Sequence, residues 1–185
     1  MHLSRAGLAV VLSLLVVHAV AVRFEYESKS PIPAGSVNVA GSFNGWSTSS
    51  HPLMRDGVRF WADVTLSDGQ YSYKFYIIDE VGNTYWMTDR ANPAYWPDSE
   101  GNVNSYLRVV ANARMLEYDG LEFFDIPAPR ATDVHLAGDF NNWVQGNTSL
   151  RRTENGMWQC WLKVQRPVTY RFIVDDIWMS EMPRE

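Results

Sequence analysis

The chain has 185 residues, of which 46% are hydrophobic and 20% are charged, and this is the composition of a globular protein. Its formal charge of −5 and the lack of a basic stripe argue against nucleic acid as a partner, because neutralising phosphates takes clustered Lys and Arg. Aromatic residues make up 14% of the chain, and an excess of this kind often forms a binding face.

The first 21 residues predict a secretory signal peptide. Arg5 supplies a positive start, an apolar run extends from Ala6 to Val17, and the small residues at 19–21 suit a cleavage site. The run is too short to span a bilayer, and it lacks the alternation of a surface strand. We therefore expect cleavage after Ala21, a secreted or lumenal location, and no membrane contact in the mature chain.

An internal repeat organises the rest of the sequence. Gly-Ser-Phe-Asn-Gly-Trp at 41–46 returns as Gly-Asp-Phe-Asn-Asn-Trp at 138–143, 97 positions later. Tyr-Lys-Phe at 73–75 returns as Tyr-Arg-Phe at 170–172, again 97 positions later. Two landmarks at one interval define a repeat. The chain therefore reads as one module written twice, a first copy at 22–110 and a second copy at 115–185.

The first copy predicts an all-β fold. Short alternating runs are separated by turn residues such as Asn44-Gly45 and Asp68-Gly69, and no helical period is present. A loop is expected from Asp89 to Gly101. This pattern indicates an immunoglobulin-like β-sandwich. The predicted strands are Arg23–Glu27, Ser36–Ala40, Val58–Leu66, Tyr71–Ile77, Tyr85–Met87 and Asn102–Val110.

The second copy repeats this order from Val134 but stops early. Only seven residues follow Trp178, whereas 23 residues separate its counterpart Trp86 from Val109. We therefore expect the second sandwich to lack its last strand and the sequence to continue past Glu185, since a long unpaired sheet edge is a liability. The single cysteine, Cys160, lies in an alternating run and is expected to be a small buried thiol.

The repeated motif, Tyr-Lys-Phe at 73–75, Trp86 and Gly-Asn-Val-Asn at 101–104 resemble the glycogen-binding domain of the AMP-activated protein kinase β subunit. More broadly they resemble carbohydrate-binding module family 48, which also precedes the barrels of many glycoside hydrolase family 13 enzymes. The resemblance covers all of the first copy and most of the second. It implies tandem early-set immunoglobulin-like sandwiches that bind α-1,4-glucan and carry out no catalysis.

The resemblance also implies a binding surface made by two tryptophans, a lysine and an asparagine. Physical chemistry agrees, because pyranose rings present flat C–H faces that stack on indole, while Lys and Asn bond the hydroxyls at the ring's rim. The second copy has arginine in place of the lysine and no counterpart of the asparagine. The residues carried over are Trp46, Lys74, Trp86 and Asn104 in the first copy, and Trp143, Arg171 and Trp178 in the second.

Each of these residues also has a plain structural interpretation. The tryptophans could anchor turns or fill the core, and Lys74 and Arg171 could be ordinary solvated charges. His51 and His135 neighbour no nucleophile motif and make no zinc site with a lone cysteine. His135 lies at an outward strand position, which predicts a solvated side chain. The carboxylates lie in turns and are expected to serve turn chemistry there.

We therefore predict an α-glucan-binding protein, with glycogen or starch as partner and with no catalytic activity, cofactor or metal. One alternative is the N-terminal glucan-targeting region of a longer amylase-like glycoside hydrolase. Another is a protein-interaction sandwich that no longer binds sugar.

Overall fold

This computed structural model of the protein describes residues 19–28, 33–110, 120–165 and 167–179. In these ranges the chain forms fourteen β-strands and two 3₁₀ turns, and no α-helix. The all-β prediction is confirmed. Residues 1–18 of the predicted signal peptide lie outside the described residues. Within the described ranges, no helix is long and apolar enough to cross a membrane.

The first copy contributes eight strands arranged in two layers. One layer has the order β1–β4–β3, and in the other β5 pairs with β2 on one edge and with β6 and β8 on the other. Along β5, Tyr73, Phe75 and Ile77 point into the core, and Lys74 and Tyr76 alternate with them on the outer face. The strands are β1 Ala19–Glu27, β2 Ala34–Gly41, β3 Met54–Asp56, β4 Arg59–Ser67, β5 Gly69–Asp79, β6 Thr84–Met87, β7 Ala94–Pro97 and β8 Val103–Val109.

The second copy repeats this arrangement with six strands. The order β9–β12–β11 corresponds to β1–β4–β3, and β10–β13–β14 corresponds to β2–β5–β6. Among the described residues, no strand of this copy takes the place that β8 has beside β5. The strands are β9 Glu122–Pro127, β10 Val134–Gly138, β11 Arg151–Arg152, β12 Met157–Leu162, β13 Tyr170–Val174 and β14 Ile177–Trp178.

Strand β7 joins the two copies into one continuous sheet. It pairs antiparallel with β8 and parallel with β12. The backbone N–H of Trp161 donates to the carbonyl oxygen of Pro93 at 2.8 Å. The side chain of Tyr95 is fully buried in the core of the second copy, together with Val103 from β8. The prediction of a plain loop from Asp89 to Gly101 was therefore wrong for residues 94–97. The prolines at both ends of this segment are typical of a loop, although the segment is a strand whose partner lies in the other copy.

Two further differences from the predicted elements concern strand ends and short strands. Strand β1 begins at Ala19 instead of Arg23, so it includes the residues proposed for cleavage, and Ala21 pairs with Thr65. The short strands β3 and β11 have too few residues for an alternating pattern to be recognised. Cys160 is buried as predicted, and burial raises the pKa of its thiol.

Candidate functional site

The repeated motif forms a turn that its asparagine holds closed. In the first copy, Asn44 Oδ1 accepts from the backbone N–H of Gly41 at 2.9 Å, and Asn44 Nδ2 donates to the carbonyl of Val39 at 3.0 Å. The backbone N–H of Trp46 donates to the carbonyl of Gly41 at 2.9 Å. A side chain at Gly41 would place its Cβ 2.5 Å from the carbonyl oxygen of Ser72, so only glycine fits there.

The second copy builds the same turn with the same bonds. Asn141 Oδ1 accepts from the N–H of Gly138 at 3.0 Å, and Trp143 N–H donates to the carbonyl of Gly138 at 3.0 Å. Asn142 stands where the first copy has Gly45, and both adopt left-handed backbone, at φ 53° and 63°. The two copies of the sequence motif therefore form turns with the same backbone conformation and the same hydrogen bonds.

Both turns end on a tryptophan whose backbone is left-handed. Trp46 has φ 61° and Trp143 has φ 62°. A bulky residue in this region costs about 1–3 kcal/mol, and such strain concentrates at functional positions. That two copies with different neighbouring residues keep the same strained tryptophan points to a role for the ring beyond packing.

Two exposed indoles of the first copy lie side by side. Trp46 is 37% exposed and Trp86 is 46% exposed. Their ring centroids are 6.2 Å apart and the planes are inclined by 61°, and the ring of Tyr76, the cross-strand neighbour of Trp86, lies 5.0 Å from the Trp86 ring. The alternative in which these tryptophans fill the core is excluded. The pair forms an inclined aromatic platform that is open to solvent.

Lys74 and Asn104 lie next to this platform on the same face of the sheet. Tyr73 pairs with Ser105 across β5 and β8, so Lys74 and Asn104 are the next cross-strand neighbours. Partial burial lowers the pKa of the Lys74 ammonium below its usual value, and the nearby Asp98 carboxylate opposes this effect. Asn104 is only 7% exposed, so it offers a small part of its amide to a ligand.

In the second copy the corresponding rings are arranged differently. The Trp143 and Trp178 centroids are 6.4 Å apart, but the planes are inclined by only 26°, so each ring partly covers the other's face. Trp143 is half-buried, and its Nε1 donates to Asp139 at 3.1 Å. Arg171 lies half-buried on β13, opposite Ala137 of β10. Trp143 is therefore less exposed than Trp46, whereas Trp178, at 41%, is nearly as exposed as Trp86.

Sequence reasoning missed a groove of about 190 Å³ that lies where the copies meet. Arg90 lines it from the first copy and Asn147 from the second, next to Lys74 and Trp86. The only local pattern at these two residues is the glycosylation sequon Asn147-Thr148-Ser149, which does not indicate a groove, because the groove exists only through the contact between the copies.

Asp79 and Asp98, two of the carboxylates expected to serve turn chemistry, do bond backbone groups of their own turns. Asp79 Oδ1 accepts from Val81 N–H at 3.0 Å, and Asp98 Oδ1 accepts from Asn102 N–H at 2.9 Å. Hydrogen bonds from Thr132 and then Asp133 lower the pKa of the Asp175 carboxyl.

The prediction of a solvated His135 was wrong. His135 is 8% exposed, and its Nε2 lies 2.8 Å from Asp133 Oδ2, while its Nδ1 lies 3.2 Å from Ser149 Oγ. The segment around Ser149 pairs with β10 at His135, and this pairing places the Ser149 side chain beside the imidazole ring. Within the ranges described, no group of three His, Cys, Asp or Glu side chains could hold a metal ion.

The fold and the paired tryptophans define a carbohydrate-binding module. The family described as "Glycogen recognition site of AMP-activated protein kinase" matches residues 20–115, and the one described as "Carbohydrate-binding module 48 (Isoamylase N-terminal domain)" matches residues 116–181. Since the first match covers more than half of the chain, the chain belongs to the family of the glycogen recognition site of AMP-activated protein kinase. The resemblance seen in the sequence is confirmed in both copies.

Similar proteins include glucan-acting enzymes. The 1,4-alpha-glucan branching enzyme GlgB of Mesorhizobium japonicum is 28% identical over 131 residues, which cover 62% of this chain and 18% of that enzyme. The crystal structure of maltogenic amylase from S. marinus aligns with a TM-score of 0.40 and 16% identity, over 85% of this chain and 25% of that one. A pullulanase from Anoxybacillus sp. LM18-11 aligns with a TM-score of 0.25 and 14% identity, over 85% of this chain and 23% of that one. The chain thus spans less than a fifth of the relative's length.

Proposed function

We propose that this chain binds α-1,4-glucan chiefly through the outer face of its first copy and without catalysis of its own. Trp46 and Trp86 stack on successive glucose units, and Lys74 bonds hydroxyls at the edge of the platform. Asn104 contributes the part of its amide that remains accessible. The observation that carries the proposal is the inclined, solvent-exposed pair of indoles, whose centroids are 6.2 Å apart.

The inclination of the two rings suits an α-1,4-linked chain. Successive glucose units in such a chain turn relative to one another, so two plates set at an angle match them better than a flat surface does. Each stacked ring is worth roughly 1–3 kcal/mol, by analogy with nucleic-acid bases on aromatic side chains. A shallow site of this kind binds weakly, and contact of both copies with one polymer would increase the overall affinity.

The second copy is the weaker of the two sites in this proposal. Trp143, Trp178 and Arg171 lie at the positions of Trp46, Trp86 and Lys74, but the two indoles partly cover each other. Arginine keeps the positive charge while replacing a compact ammonium with a planar fork, which changes the geometry of hydroxyl recognition. We propose two tandem immunoglobulin-like sandwiches, 22–110 and 115–185.

The proposal includes a location. A signal peptide at 1–21 would direct the chain to the secretory pathway. The expected partner there is glycogen or starch. We expect neither nucleic acid nor a membrane as a partner. A protein partner is left open. Kinase regulation is not part of the proposal, because a secretory signal is at odds with an intracellular kinase complex.

One further candidate function is supported by a specific observation. The similarity to a branching enzyme, of which this chain covers 18%, favours an N-terminal region that brings a catalytic domain to glucan. Reading the complete transcript beyond Glu185 separates this candidate from a protein that only binds. A sandwich that binds protein instead of sugar is the remaining alternative, and it predicts no retention on glycogen.

Native gel electrophoresis through glycogen tests the proposal. We expect glycogen to retard the wild-type chain, and Trp46→Ala or Trp86→Ala to weaken binding roughly 10- to 100-fold. Trp61→Ala is the matched control, because Trp61 lies on the other layer with the Arg23 guanidinium 4.3 Å from its ring centroid. Unaltered mobility of the wild-type chain in glycogen would refute the proposed function.

A further inference from the structure

The groove between the two copies opens beside the proposed glucan platform. Its volume is about 190 Å³. Lys74, Trp86 and Arg90 line it from the first copy, and Gly146 and Asn147 line it from the second. Two residues of the platform are thus also residues of the groove, so a glucan lying on Trp86 has the second copy at its side.

The wall that the second copy supplies is held in place without a ligand. Tyr95 Oη, from the first copy, donates to the carbonyl of Ser149 at 2.7 Å. At the other end of the same loop, Asn142 Nδ2 donates to the carbonyl of Glu100 in the first copy at 2.8 Å. These two bonds fix the loop against the first copy on both sides of Asn147. A wall fixed in advance adds affinity because a ligand does not have to order it.

The chemistry of the groove suits sugar hydroxyls. Asn147 and Arg90 are both exposed, and the amide of Asn147 is available to a ligand in the chain that carries no glycan at the sequon Asn147-Thr148-Ser149. An amide both donates and accepts, and a guanidinium offers five N–H donors, which together match the neighbouring hydroxyls of a pyranose. No carboxylate is among the residues that line the groove. The groove therefore provides donors and one amide acceptor next to an aromatic plate.

We propose that the glucan site of this chain is composite, with Asn147 of the second copy and Arg90 of the first bonding hydroxyls of the glucose unit next to the one stacked on Trp86. This inference rests on the proposed function and adds a subsite to it. In this proposal the second copy contributes Asn147 to the glucan site of the first copy, in addition to its own pair of tryptophans.

Isothermal titration of the whole chain with maltoheptaose tests the composite site. We expect Asn147→Ala and Arg90→Ala each to weaken binding roughly 2- to 10-fold, the range of one lost hydrogen bond. The double variant is expected to weaken binding further. Arg130→Ala is the charge-matched control, since Arg130 is exposed and does not line the groove. Trp46→Ala reports on the platform alone, because Trp46 belongs to the platform and does not line the groove.

The outcomes separate this inference from the function on which it rests. If the wild-type chain does not bind maltoheptaose, the proposed function fails. If it binds and Trp46→Ala abolishes binding, while Asn147→Ala and Arg90→Ala bind as the wild type does, the composite site is overturned and the platform stands.

A measurement on the unaltered protein guards against variants that fold poorly. In ¹⁵N–¹H spectra recorded during titration with maltoheptaose, the side-chain amide of Asn147 is expected to shift along with the indole N–H of Trp86. The side-chain amide of Asn155, an exposed residue of the second copy outside the groove, is expected to stay in place. A shift of Trp86 with none at Asn147 would exclude contact between the sugar and the second copy.

Discussion

Tyr73 and Tyr170 occupy the same position of the two copies, but only the first has partners for its hydroxyl among the described residues. Tyr73 Oη donates to Asp89 Oδ2 at 2.8 Å and accepts from Asn92 Nδ2 at 3.0 Å. Tyr170 is 1% exposed, and its hydroxyl has no hydrogen-bond partner within the part of the chain that the structure describes. Both copies have the buried tyrosine ring and its packing. Among the described residues, only the first copy has a polar network around the hydroxyl of that ring.

This difference predicts that the substitution of tyrosine by phenylalanine has unequal effects on stability at the two positions. Tyr73→Phe is expected to destabilise the protein by about 1–3 kcal/mol, because it leaves the buried Asp89 carboxyl short of a donor. Tyr170→Phe is expected to cost nothing, since it removes a buried hydroxyl that makes no bond. Urea unfolding followed by tryptophan fluorescence measures both. Equal losses would show that the Tyr170 hydroxyl is hydrogen-bonded after all.

The turn before each exposed tryptophan predicts a matched pair of glycine substitutions. Gly41→Ala is expected to cost about 1–3 kcal/mol, because the added Cβ would lie 2.5 Å from the carbonyl of Ser72. Gly45→Asn is expected to cost less than about 1 kcal/mol, because Asn142 already adopts this left-handed conformation in the second copy and no atom lies within 4 Å of an added Cβ. Thermal denaturation tests both, and a larger loss for Gly45→Asn would contradict the equivalence of the turns.

The two pairs of indoles predict an unequal division of binding. Trp46→Ala is expected to weaken glycogen binding at least several-fold more than Trp143→Ala, because the rings of the second copy partly cover each other. Affinity electrophoresis through glycogen compares the two, and the double variant shows whether any binding remains. The reverse order of effects would place the main site on the second copy.

Asp175 predicts a loss of stability in acid. Thr132 and Asp133 donate to its Oδ1, at 2.8 and 3.0 Å from their backbone N–H groups, and these bonds lower the pKa of the carboxyl. The folded pKa thus lies below the unfolded value of about 3.9. The stabilisation is therefore complete above that value and is lost as the pH falls through the folded pKa.

We expect Asp175→Asn to be less stable than the wild type near pH 7 and to approach it near pH 2, as measured by urea unfolding at both pH values. Glu154→Gln is the control, because Glu154 is an exposed carboxylate of the second copy. A constant difference between Asp175→Asn and the wild type at all pH values would show that the carboxyl stabilises the turn without titrating.

Much of the fold and of the platform followed from the sequence because the repeat supplies two examples of each element. The interval of 97 residues aligned Lys74 with Arg171 and Trp46 with Trp143, and the alternation along β5 placed Lys74 outside and Phe75 inside, as the structure shows. Local patterns of this kind report which face a side chain takes. They do not report which other strand covers that face.

The features that escaped prediction depend on contacts between segments that are distant in the sequence, either between the copies or within one copy. Strand β7 has its partner in β12, a pairing between segments more than 60 residues apart, and its flanking prolines are typical of loops. His135 was expected in solvent because nothing in its own strand indicates that the segment at Ser149 covers it. The groove at Arg90 and Asn147, like the pairing of β7 with β12, exists only where the two copies meet.

The sharing of β7 means that the repeat unit and the folding unit differ. Residues 115–185, expressed by themselves, would carry a core without Tyr95 and Val103, and β12 would lose the neighbour that pairs with its end. A truncation between the two copies therefore removes residues that the core of the second copy needs. If such a truncated second copy fails to fold, the result says nothing about whether the second copy binds sugar.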